Sequence, residues 1–208
     1  MLKLSTQWGM TGSRKWAIAN IEAMGWRFPA ALSLRLGRQY DYEKWINPAL
    51  RRLLGHTGTL RSMRSEQSKW LTFAEYELIA CAREALENEK KLLALSPLEI
   101  DAKRDPLGDL KGSDCVSHQE CVRVWKAQWK KHIGEPMLHP EMLFALSFDD
   151  AKEKLQEHPF KGMTKSCRDL CVQRVLDSRA FDITERFVEQ AYIKLQTEIP
   201  SDVIDIIF

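Results

Sequence analysis

Two cysteines and a histidine lie within seven residues in "CVSHQEC", residues 115–121, and two more cysteines come later in "CRDLC", residues 167–171. Thiolates and imidazoles are the donors that zinc takes in tetrahedral sets of four. The pattern is Cys115-x2-His118-x2-Cys121, then, after a long gap, Cys167-x3-Cys171. Ser117 is placed to cap a helix, which puts His118 and Cys121 three residues apart on one side of its first turn. Cys115 just precedes that turn and can fold back toward them. Cys167 stands near the start of a later helix behind Thr164, where the positive helix end favours a thiolate. If the two helices pack together, Cys115, His118, Cys121 and Cys167 can reach one ion, with Cys171 as the alternative fourth ligand.

Other chemistries stay open for the same residues. The spacing matches no standard zinc finger. Cys121, Trp125 and Trp129, at i, i+4 and i+8, also form an apolar stripe, as do Cys167 and Cys171, and buried free cysteine behaves as a small apolar residue. A third reading is an enzyme in which Cys115, His118 or Cys121, beside Asp114, serves as a thiol nucleophile or as part of an open metal site. No Gly-rich phosphate loop, HExxH or paired-carboxylate pattern is present.

The elements that must position these residues read as helices throughout. No Asn-Gly or Asp-Gly hairpin sits between alternating apolar residues. "SRKWAIANIEAM" sets Ala17, Ile21 and Met24 on one face behind a Ser13 cap. "FPAALSLRLGRQY" opens with Pro29 and can be closed by Gly37. In "DYEKWINPALRRLL", Ile46, Ala49, Leu50 and Leu53 make a stripe, and Pro48 either starts a new helix behind Asn47 or kinks this one. "LTFAEYELIACAREALENEKKLLAL" is the strongest helix: Thr72 and Glu75 form a capping box, and Ala74, Leu78, Cys81 and Ala85 line its buried face. Three more helices are read in "SHQECVRVWKAQWKKHI", "TKSCRDLCVQRVLDS" and "DITERFVEQAYIKLQTE", the last with a capping pair Asp182 and Glu185. A short one starts at Ser147.

The expected fold is therefore all-α, an irregular helical array in two lobes, residues 1–95 and 115–208. "SPLEIDAKRDPLGDLKGSD", residues 96–114, holds two prolines and two glycines and reads as a polar linker. The chain has 208 residues, 44% hydrophobic and 29% charged, the range of a globular protein with a real core. The net charge of +2 calls for neither nucleic acid nor an anionic membrane. No apolar run approaches the roughly 20 residues that span a bilayer, and the first residues lack a signal-peptide pattern. An intracellular protein, cytoplasmic or nuclear, is expected, with its five cysteines reduced or metal-bound. The basic stretches "LRRLL" and "WKAQWKKH" lie on polar helix faces and read as solvated. Most of the seven tryptophans fall on apolar stripes.

Several stretches together resemble a family. "LKLSTQWGMTGSRKWAIANIEAM" is similar to the segment behind the BTB/POZ fold in BTB-domain proteins of mushroom-forming fungi. "LRLGRQYDYEKWINPALRRLL" resembles the next element of that group, through Arg38, Tyr40, Trp45, Pro48 and Ala49. "LTFAEYELIACAREAL", "CVSHQECVRVWKAQW", "LHP" and "GMTKSCRDLCVQRV" resemble the group's later helices and its tail. The resemblance covers nearly the whole chain, and none of its motifs is catalytic. The BTB fold would precede residue 1, so its dimerising and ligase-recruiting roles are not carried over. The resemblance implies a BACK-like helical region that positions a protein partner.

The function expected from all of this is a non-enzymatic adaptor module for an unidentified protein partner, with a structural zinc. An enzyme using the Cys115, His118 and Cys121 cluster is the alternative, and a nucleic-acid-associated regulator the third. The sequence sets no oligomeric state.

Overall fold

The computed structural model describes residues 3, 5, 8–55, 68–96, 112–140 and 145–199. Every regular element among them is a helix, and the fold is all-α. In chain order the helices are α1 (Thr11–Met24), α2 (Ala30–Gln39), α3 (Glu43–Leu54), α4 (Phe73–Leu95), α5 (His118–Trp129), α6 (Phe148–Glu157), α7 (Lys165–Asp177) and α8 (Ile183–Thr197). A π turn, Lys130–Gly134, and a last α turn, Glu135–Met137, extend α5. Contacts divide the chain into two compact units, Met1–Arg83 with Phe187–Phe208, and Glu84–Arg186. The division falls inside α4 and α8, so the end of the chain returns to the first unit, which sequence order alone does not anticipate. Of the expected linker, residues 97–111 lie outside the described residues.

The first unit is organised around the α2–α3 hairpin. Leu34, Leu50 and Leu53 are fully buried there, each contributing on the order of 1.5–3 kcal/mol relative to exposure. Gly37 permits the close approach: a Cβ at this position would lie 3.0 Å from the Ile46 side chain and 3.3 Å from the Tyr42 carbonyl. The Tyr42 N–H closes the turn on the Gly37 carbonyl at 2.7 Å. Arg38, next in sequence, is buried and pairs with the buried Glu75 carboxylate. Its guanidinium also donates to the carbonyls of Leu195, at 3.2 Å, and Ile199, where α8 runs out. A cation is stabilised at a helix C-terminus, where unpaired carbonyls collect. Glu75 serves twice, because it also closes the capping box with Thr72.

The second unit is built on one face of α5. Trp125 stacks on Phe160 with centroids 4.6 Å apart, and Trp129 lies against Phe181 at 6.2 Å. Ile133, Met137, Leu155 and Val175 complete this core. The Trp129 indole N–H donates to the Ala94 carbonyl at 3.2 Å. Gly134 makes room for the same carbonyl, since a Cβ there would stand 2.3 Å from it. α6 opens with a complete capping box between Ser147 and Asp150.

Several sequence expectations are corrected. Ser13 lies inside the first turn of α1, whose N-cap is Met10. Gly37 is interior to α2 rather than its terminator. Pro48 does not start a new helix behind Asn47, because α3 runs from Glu43 to Leu54 with Pro48 inside it. Cys81 is exposed, as is Ala74. The buried face of α4 holds Glu75, Ile79, Leu86 and Leu93, which fall within about 40° of one another at 100° per residue, with Cys81 more than about 100° away. An apolar-only count rejects Glu75 from the core and so rotates the face. Its place there comes from Arg38.

Glu75→Ala removes a cap and strands a buried guanidinium. A loss of about 3 kcal/mol or more is expected, read as a lower urea midpoint. Cys81→Ser should stay within about 0.5 kcal/mol of the parent.

Candidate metal centre

Cys115, Cys121 and Cys167 come together as a buried cluster in the second unit, their sulfurs all within 4.8 Å of one another, and the group could hold a metal ion. Two segments deliver them. The first is the turn before α5 and the opening of that helix. The Cys115 N–H bonds the Gly112 carbonyl at 3.1 Å, which folds Cys115 back beside α5. Its sulfur lies 3.8 Å from that of Cys121 and 4.0 Å from His118 Nδ1. Ser117 occupies the N-cap with extended backbone but makes no side-chain cap bond. The second segment is the start of α7, where Cys167 is the third residue and Thr164 the N-cap. The Cys167 sulfur stands 3.7 Å from His118 Nδ1.

Thr164 likewise makes no side-chain cap bond. Its hydroxyl instead lies 3.8 Å from the Cys121 sulfur. The Gly112 N–H donates to the Cys167 sulfur at 3.1 Å, and the Ser166 hydroxyl donates to the Asp114 carboxylate, so the loop is tied twice to α7. Gly112 has to be glycine for this: a Cβ would fall 1.7 Å from Ser166 Oγ and 2.7 Å from the Cys167 nitrogen. Sequence reading passes over Gly112 because it sits in a stretch that looks like linker.

The three thiols of this neighbourhood that shift do so in different directions. Burial alone pushes the Cys167 thiol up. Hydrogen bonds from Thr164, Gly112 N–H, His118 and Cys115 outweigh it and bring the thiol down to about 6. Burial pushes Cys115 up to about 11, aided by its sulfur neighbours. Cys171, one turn beyond Cys167, is buried outside the three-cysteine group, and burial pushes it to about 12. The negative charge therefore concentrates on Cys167, where donors already point at the sulfur.

A side-chain relay positions α7. Arg168 donates from Nε to the His158 carbonyl at 3.1 Å and from Nη2 to the Gln156 carbonyl. The His158 ring meets Gln128 Oε1 at 2.7 Å. Gln128 uses its own amide N–H on the Lys161 carbonyl, so His158 Nε2 carries the proton in this bond. Lys126, Lys130 and Lys131, the basic face of α5 and its extension, point to solvent. No described helix is long and apolar enough to cross a membrane. No family model matches the chain, and neither a curated protein nor a solved structure is detectably similar to it.

Burial, then the charges of His132, Lys154 and Arg168, hold the His158 pKa below the ordinary imidazole value. The unfolded chain therefore binds a proton that the folded unit resists. The contribution of His158 to stability is full above about pH 6.5 and falls as pH drops below it toward the folded pKa. Thermal unfolding at descending pH should show this loss, and His158→Gln should flatten it. Separately, Gly112→Ala should cost about 1–3 kcal/mol through the Ser166 clash, measured by denaturant titration.

Proposed function

We propose that this chain is a non-enzymatic protein-interaction module of the adaptor kind, and that a structural zinc ion on Cys115, His118, Cys121 and Cys167 staples its Glu84–Arg186 unit. The spacing of the donor atoms carries the metal reading. With Zn–S of about 2.3 Å and Zn–N of about 2.0 Å, tetrahedral geometry sets donor-to-donor edges of roughly 3.5–3.8 Å. The Cys115–Cys121, Cys167–His118 and Cys115–His118 separations are 3.8, 3.7 and 4.0 Å. Three thiols and one imidazole are a structural donor set, closed without water. The ion would supply the positive charge that lets three buried thiols ionise together. The Gly112 N–H on Cys167 then serves as an outer hydrogen bond that orients a ligand.

Burial weighs against catalysis. A Cys167 thiol near 6 beside an imidazole has the composition of a nucleophile pair. Cys167, however, is wholly buried, and Cys115 and Cys121 are 8% and 3% exposed. The adaptor role toward a protein partner rests on the resemblance read in the sequence motifs to the helical region behind the fungal BTB/POZ fold. Nothing among the described residues favours the nucleic-acid reading over it.

Purified protein should carry about one equivalent of zinc, and cobalt substitution should give the intense visible absorption of a tetrahedral thiolate site. Stripping the ion should loosen residues 84–186 in hydrogen exchange while α2 and α3 stay protected. Cys167→Ala should abolish metal binding, whereas Cys171→Ala should retain it. Metal below about a tenth of an equivalent, with Cys167→Ala melting like the parent, would refute the site.

A further inference from the structure

Six of the seven tryptophans divide into two populations, with Trp70 half-buried between them. Trp45, Trp125 and Trp129 are core. Trp8, Trp16 and Trp26 are 69%, 59% and 80% exposed, and Met10 and Met24 stand open between them. Five large apolar side chains therefore face solvent within 19 residues around α1, a helix that buries only Ala17. Single exposed apolar residues need no explanation, but five so close together in the chain call for one. The turn that carries Trp26 is fixed in place. Arg52 donates to the carbonyls of Trp26, at 2.8 Å, and Phe28, at 2.9 Å, and Gly25 takes the left-handed φ of 53° that the turn requires.

Charge identifies the partner. Residues 1–55 hold nine Lys and Arg against three Asp and Glu, a net +6, so the whole-chain +2 conceals an excess of four negative charges over the remainder. Lys15 and Arg27 flank the exposed indoles in sequence, and Arg52 is bonded at the Trp26 turn. None of the three forms an ion pair among the described residues. Two classes of polyanion attract exposed indoles with cations close by in the chain: single-stranded nucleic acid and an anionic bilayer surface. Two details favour the bilayer. Methionine offers no π-face for a base but partitions readily into the acyl boundary. The Arg27 guanidinium lies over the Trp26 ring, 5.9 Å from its centroid, on a face that a base would need.

We propose that the α1 surface is a peripheral docking site for an anionic lipid bilayer, with Trp8, Trp16, Trp26, Met10 and Met24 inserting at the headgroup level and Lys15, Arg27 and Arg52 meeting the lipid charge. Insertion is shallow, because no described helix is long and apolar enough to span. The proposal is independent of the metal centre, which lies in the other unit.

Co-sedimentation of the full chain with phosphatidylcholine vesicles, with and without one third phosphatidylserine, tests it. Binding to the serine-containing vesicles with a blue shift of tryptophan emission is expected. It should weaken at least about tenfold in about 0.5 M salt. The double variant Trp16→Ser with Trp26→Ser, both at exposed positions, should lose binding with unchanged helical circular dichroism. A chain that stays in the supernatant with anionic vesicles overturns the proposal. So does a double variant that keeps its helices and binds as the parent does. Tight binding to a single-stranded oligouridylate with no vesicle binding assigns the surface to nucleic acid instead.

Discussion

A single face of α5 has two jobs, and the second unit depends on its doing both. Residues at i, i+4 and i+8 place Cys121, Trp125 and Trp129 in one line. The first ends in the sulfur cluster and the other two fill the aromatic core against Phe160 and Phe181. Rotating the helix to improve one contact would spoil the other. The core and metal readings of Cys121 are thus not rivals. A buried cysteine at the head of a tryptophan stripe can pack and still offer its sulfur to an ion, and the packing fixes where that sulfur points.

The same helix shows how the backbone absorbs conflicting demands. Beyond Trp129 the α hydrogen-bond pattern gives way to a π turn, Lys130–Gly134, in which the Glu135 N–H reaches the Lys130 carbonyl. The wider turn coincides with Gly134, the point of closest approach to the Ala94 carbonyl. That carbonyl also receives the Trp129 indole N–H. A regular helix with any side chain at 134 would collide with α4. π turns gather where an extra residue has to be accommodated without ending the helix.

What the sequence discloses depends on whether the deciding interaction is local. The Thr72–Glu75 box, the Ser147 start and the α3 stripe are set by neighbours within one turn, and all three stand in the structure. The meeting of Cys115 and Cys121 with Cys167, with His118 beside Cys115 and Cys167, arises from local spacing plus the packing of two helices. Cys81 is misplaced because Glu75 is held in the core by Arg38, 37 residues away. Gly112 is illegible because its reason for being glycine is Ser166, far along the chain. The charge on residues 1–55 is countable from the sequence, but an average over the whole chain hides it.

The bonds from Arg38 to the Leu195 and Ile199 carbonyls span 157 and 161 residues. That separation imposes an order of events during synthesis. Residues 84–186 are contiguous, and their unit is complete in sequence before α8 has fully emerged from the ribosome. The helices around Arg38 are made well before the bonds that complete them, because the carbonyls of Leu195 and Ile199 are added 157 and 161 residues later. Until then Arg38 is a buried-type cation without its full set of partners, the kind of unfinished surface that chaperones attend. Loss of the residues from Leu195 onward would therefore be felt at Arg38, on the α2–α3 hairpin, rather than in the contiguous unit that lies between them in sequence.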